Sequence, residues 1–131
     1  MTNREKCVNW IKEYFKDNPD GKAIIGISGG KDSTIEAAGD ADINVLNKFT
    51  FGYYELPLDI LDEASDRADE IESIEVVGLC TDVCVISNAM ILKSCFMVAP
   101  IVVDSSCCAG VTPESHQNAL NAMKMCQIDV T

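Results

Sequence analysis

The chain has 131 residues, 47% of them hydrophobic, enough for one domain with a buried core and too few for two of ordinary size. Its formal net charge of −11 opposes binding to nucleic acid, where affinity comes chiefly from Lys and Arg neutralising phosphates. No apolar run reaches the ~18–20 residues of a membrane span and no basic-then-apolar leader opens the sequence, so a soluble, cytoplasmic protein without a membrane partner is expected.

Thr2 and Glu5 have the spacing of a capping box, and Val8, Trp10, Ile11, Tyr14 and Phe15 follow at helical spacing. "DNPDG" stops that helix. "KAIIGIS" reads as a short buried strand that opens into the glycine turn "SGGKDS". Ser33 and Glu36 form a second capping box, for a helix that begins near Thr34 and ends by about Ala38. "INVLNKF", residues 43–49, is the next strand. In the acidic stretch "ELPLDILDEASDRADEIE", Leu58, Leu61, Ala64, Ala68 and Ile71 mark the apolar face of a helix whose charges are solvated. "SIEVVGLC" is a strand, "TDVCVISNAMILKSC" a helix and "APIVVDSS" a strand. "TPESHQNALNAMKMC" is a helix with Pro113 in its first turn, and "QIDVT" a final edge strand.

Strands alternating with helices predict an α/β fold: a single three-layer α/β/α domain around a short, mostly parallel sheet. Binding groups in such sheets gather at the carboxyl ends of the strands. Ser28, Lys48, Cys84 and Asp104 each fall at or just beyond such an end. The seven cysteines are odd in number and include the adjacent pair Cys107 and Cys108, so reduced thiols are expected rather than a disulfide framework. His116 is the single histidine and cannot build a zinc site with Cys80 and Cys84 alone.

Two signatures carry chemistry. The first is "GISGGKDST", where Gly29 and Gly30 let the backbone approach an anion and successive amides can form a nest. The spacing is not that of a Walker loop. It resembles the S-G-G-x-D-S pyrophosphate loop of the ATP pyrophosphatases, and residues 1 to about 34 more closely resemble the amino end of ammonia-dependent NAD synthetase. That resemblance implies ATP phosphates held by Gly26, Ser28, Gly29, Gly30, Asp32 and Ser33, with Asp32 as the magnesium ligand. It stops after Ser33, and a single loop lacks the positioned groups that adenylation needs.

The second signature is "GLCTDVCVISNA", which sets Cys84 one or two residues into a helix capped by Thr81 or Asp82. A helix amino end favours a thiolate, which is how a nucleophilic cysteine is made. From about residue 36 to 131, "NKFTFG", "VVGLCTDVCVISNA", "IVVDSSCCAG" and "TPESHQNAL" resemble the carboxyl portion of the isochorismatase-like cysteine hydrolases, nicotinamidases above all. The resemblance implies that Cys84 attacks a small amide such as nicotinamide to form a thioester and that Lys48 assists its activation. It also implies that backbone amides at Cys80 and Cys84 form the oxyanion hole and that the Leu79–Cys80 peptide is cis. In that family His116 matches a histidine of the late helix that is not catalytic.

The family's acid/base aspartate, in a segment resembling D-x-Q-x-D-F, and the metal ligands that follow it have no counterpart in the sequence. The expected organisation is therefore a hybrid: an NAD-synthetase-like segment over residues 1–34 joined to a hydrolase portion over 35–131, folding as one unit. Its hydrolase activity is expected to be impaired, with Asp32 the nearest replacement for the lost aspartate. The rival readings are an ATP- or pyrophosphate-binding fragment and an inactive hybrid; both parent families form oligomers, so a homo-oligomer is compatible with either.

Overall fold

A computed structural model of the chain describes residues 5, 9, 12, 13, 16, 17, 23–28 and 43–131. Glu5, Asn9, Lys12, Glu13, Lys16 and Asp17 are helical and exposed, the polar face that the amphipathic pattern predicts for the first helix. Thr2, the apolar positions of that helix and the short helix expected near Thr34 lie outside the described residues.

Contacts divide the chain into two compact units, Met1–Thr50 and Phe51–Thr131. In the first, strands β1 (Ala23–Ser28) and β2 (Ile43–Lys48) pair in parallel. Their register runs from Ala23 opposite Ile43 to Ser28 opposite Lys48, so both strands finish at the same edge.

The second unit opens with helix α1 (Leu56–Ala64), which has a proline in its first turn, followed by a 3-10 segment, Ser65–Glu70. The apolar face differs from the one its sequence predicts. Leu58 and Leu61 are exposed, whereas Leu56, Ile60 and Ile71 pack on the core. The helical period breaks at Ser65, where φ is 52°, so positions before and after it do not share one face.

Strand β3 (Ile74–Leu79), a π turn (Thr81–Val85), helix α2 (Ile86–Cys95), strand β4 (Ile101–Ala109), helix α3 (Pro113–Met125) and strand β5 (Asp129–Val130) complete the unit. The sheet order is β3-β4-β5 with both pairs parallel. Each parallel return uses a helix, as parallel pairing requires. The fold is thus α/β with parallel strand pairing throughout the described residues.

The core of this unit forms where one face of each helix meets β4. Val85, Ala89, Leu92 and Phe96 recur at helical spacing, Ile101 and Val103 alternate on the strand, and Leu120, Met123 and Ile128 close the far side. Leu92, Ile101, Met123 and Val103 are among the largest fully buried side chains. Burying each is worth about 1.5–3 kcal/mol relative to leaving it in water.

β4 runs further than the sequence pattern indicates, through Cys107 and Cys108, which are buried in the strand rather than placed beyond it. Val76 faces Val103 but Gly78 faces Cys108, so Val77 alone opposes the four residues Asp104–Cys107 in an irregular bulge. Asp104 is therefore mid-strand, not at a strand end. Its Oδ1 accepts from the Ser106 amide at 2.9 Å and the Ser106 hydroxyl at 2.6 Å, satisfying groups that the bulge takes out of the ladder. Gly78, with φ at 127°, supplies the backbone conformation on the β3 side.

Candidate active site

The candidate nucleophile sits in the connection from β3 to α2. The Leu79–Cys80 peptide is cis, as the hydrolase resemblance implies. Cys80 is extended, and its carbonyl accepts from the amide of Val83 at 3.1 Å and of Val85 at 3.0 Å. The second bond spans five residues and makes Thr81–Val85 a π turn, a feature frequent at functional sites. The helical run is thus capped by Cys80, not by Thr81 or Asp82. Cys84 is the fourth residue of the turn, partly exposed at the head of α2.

Cys80 is also partly exposed. Burial pushes its thiol pKa up, and the nearby Asp82 carboxylate and Cys84 push it further. Cys80 therefore stays protonated at neutral pH.

Three sets of contacts hold the turn. Asn88, one helical turn after Cys84, donates from Nδ2 to the Cys84 carbonyl at 2.9 Å and to the Phe51 carbonyl at 3.3 Å. Its Oδ1 accepts from the Tyr53 amide at 2.8 Å. The Ser87 hydroxyl donates to the Val83 carbonyl at 2.5 Å. On the opposite side, the fully buried Thr81 pairs through Oγ1 with Nδ1 of His116 at 2.7 Å.

Asp82 accepts from the Val111 amide at 3.1 Å. The Ser115 hydroxyl, and after it the Val111 amide and His116, hold the Asp82 carboxyl below the usual range against the opposing effect of burial. The turn is thereby fastened to α2 on one side and to the head of α3 on the other. Neither attachment is visible as a motif, because the partners are 35 residues apart for Thr81 and His116 and for Tyr53 and Asn88. The one local signal is Asn88, a hydrogen-bonding side chain inside the otherwise apolar stretch "VISNAMIL".

Lys48 is the last residue of β2, buried, with its ammonium donating to the Thr50 carbonyl at 3.0 Å. Ser28 is its register partner on β1, so the start of the glycine loop and the candidate lysine share one strand edge in the first unit. Gly26 lies within β1. Gly29, Gly30, Asp32 and Ser33 lie outside the described residues. Among the described residues, no group of three or more His, Cys, Asp or Glu side chains is placed to hold a metal ion.

The isochorismatase-domain family profile matches residues 8–131, and the chain belongs to that family. No curated protein matches it in sequence. Among solved structures, the nicotinamidase from Bacillus subtilis superposes with a TM-score of 0.73 at 20% identity, over 98% of this chain and 83% of that one. The nicotinamidase from Staphylococcus aureus gives 0.70 at 24% identity, over 98% and 83%. The zinc complex of a pyrazinamidase from Pyrococcus horikoshii gives 0.75 at 13%, over 100% and 87%. At these identities the likeness is one of fold. The family match includes the segment that resembles NAD synthetase, and no comparison adds support to that second resemblance.

Proposed function

We propose that the chain is a cysteine hydrolase acting on a small carboxamide such as nicotinamide, with Cys84 as its nucleophile. The observation that carries this reading is the placement of Cys84 in a π turn held by side chains from two helices. The Cys84 sulfur attacks the amide carbon, the C–N bond breaks with a proton delivered to the departing ammonia, and water then cleaves the thioester to the free acid. Lys48 assists thiol activation, and the backbone amides of Cys80 and Cys84 receive the carbonyl oxygen as it becomes negative. Asp32 is the candidate for the acid/base step.

The test is ammonia release from nicotinamide by the chain and by Cys84→Ala. Release abolished by the substitution supports the reading, and equal release or none from both rejects it. An Asp32→Asn variant that keeps the parent rate removes Asp32 from the mechanism.

A second reading rests on β1 ending at Ser28 beside Lys48, with the sequence "GGKDS" following directly, as in a phosphate site. In that reading ATP with magnesium binds the 26–33 loop. Titration calorimetry with MgATP that shows no heat of binding at millimolar nucleotide rejects it.

A further inference from the structure

We propose that His116, acting through Thr81, is a positioning residue for the Cys84 turn. This rests on the reading of Cys84 as the nucleophile. Thr81 has no exposed surface, so its hydroxyl needs a partner inside the protein, and it is paired with His116 Nδ1 at 2.7 Å. An unpaired hydroxyl at such a position costs about 1–3 kcal/mol, so the bond selects the arrangement of the turn that makes it.

On that side the turn is defined by this bond and by the contacts of Asp82 with Val111 and Ser115. Its first carbonyl, that of Cys80, is shared between the amides of Val83 and Val85. An acceptor shared between a three-residue and a five-residue closure leaves the 3-10 and π forms of the same turn in competition, and the two set Cys84 at different angles around the helix axis. Thr81 is the first residue of the turn, and its buried side chain reaches across to His116 of α3.

His116 is itself fixed in place. A Cβ on Gly110 would lie 2.7 Å from the His116 Cβ and 2.8 Å from its Cα and amide nitrogen, so the chain leaving β4 presses directly on this residue. The Asp82 carboxylate bonded to Val111 adds a second tie between the turn and the same segment. Neighbouring residues of the turn are thus tied to one short stretch of chain, Gly110–His116. The histidine acts on geometry, with no contact to the reacting atoms required.

The test uses the full chain with Thr81→Val, Thr81→Ser, His116→Leu and His116→Asn. Two quantities are measured: steady-state ammonia release, and the rate of Cys84 alkylation by iodoacetamide resolved by peptide mass spectrometry. Thr81→Val and His116→Leu are expected to lower kcat by roughly tenfold to hundredfold, the range for a misplaced reacting group, with KM within about twofold. Both should also change the Cys84 alkylation rate.

Thr81→Ser keeps the hydroxyl, and His116→Asn keeps a hydrogen-bonding atom near the place of Nδ1; both should restore the parent values. The double variant Thr81→Val/His116→Leu should lose no more than either single change, because the two residues share one bond. A folded Thr81→Val or His116→Leu protein with parent kcat and parent alkylation rate overturns the inference, as does a fully additive double variant. If the parent releases no ammonia, the amidase reading fails by itself, and the alkylation rates still decide the positioning role. If Thr81→Val does not unfold cooperatively, the partly exposed His116 carries the test through Leu and Asn.

Discussion

A carboxamide offers four hydrogen-bonding positions, and Asn88 uses three of them on the backbone of Phe51, Tyr53 and Cys84. No other natural side chain of that length presents two donors and an acceptor in the same plane. Asn88→Leu is expected to destabilise the protein by about 1–3 kcal/mol, since it strands a carbonyl and an amide that are both partly buried. Asn88→Asp keeps the bond from the Tyr53 amide but turns both donors into acceptors facing carbonyls, and should be at least as damaging. Urea unfolding of the three proteins checks the order.

Glu75 gives a prediction with a sign. Glu75 is exposed on the strand, and partial desolvation, then the Asp104 carboxylate, raise its pKa above 4.5, so the folded protein holds this proton more tightly than the unfolded chain does. Stability from this group is full below the unfolded value and falls as pH rises through the folded one. Glu75→Gln should therefore raise the midpoint of thermal unfolding at pH 7 and leave it unchanged near pH 3. Equal effects at both pH values would show that packing, not charge, is responsible. Asp82 runs the other way: its lowered pKa makes its contribution present at neutral pH and lost as pH falls through the folded value.

Among the elements, α3 illustrates a helix whose start is written in its sequence. Thr112 accepts from the Ser115 amide at 3.0 Å and its own amide donates to the Ser115 hydroxyl at 3.0 Å, a reciprocal box with Pro113 at the first position. Thr112→Ala should cost about 1 kcal/mol, measurable by chemical denaturation. Gly110→Ala acts on the same helix by a different route, because the added methyl meets helix backbone at 2.8 Å and cannot be accommodated by a rotamer change. It is expected to lower the unfolding midpoint and to alter Cys84 alkylation together, since His116 has to move.

The sequence made α3, β3, β2 and the parallel character of the sheet legible because each rests on local chemistry: a cap, a run of β-branched residues, or alternation bounded by turns. It made the neighbourhood of the candidate nucleophile legible through "GLCTDVC". It did not show the π turn, where the balance between a three- and a five-residue closure at the Cys80 carbonyl depends on Thr81 and Asn88 finding distant partners. Nor did it show the bulge at Asp104–Cys107, because β4 there leaves β3 and bonds instead to the chain after β5. The Ser105 amide and hydroxyl both reach the Thr131 carbonyl, at 2.9 and 2.6 Å.

In the molecule as a whole, the Phe51–Thr131 unit depends on one shared core, so damage at its centre should be felt throughout. Leu92 is 2% exposed and packed between helix and sheet. Leu92→Ala should cost about 2–5 kcal/mol, enough to unfold a marginal domain, and circular dichroism during thermal melting would show the loss as one cooperative step. Preserved melting would mean that the neighbouring side chains collapse into the space.

The strand order has a consequence for the protein's synthesis. β4, the central strand of its sheet, takes one partner from earlier in the chain and the other from residues 129–130. A growing polypeptide thus has β3 and β4 available while one flank of β4 still lacks its neighbour, and the sheet can close only after residue 130 has left the ribosome. Through that interval the apolar edge of β4 is open to pairing with other nascent chains. Faster elongation over the codons for residues 110–130, or a chaperone that covers extended segments, should raise the soluble yield without changing a single contact in the finished fold.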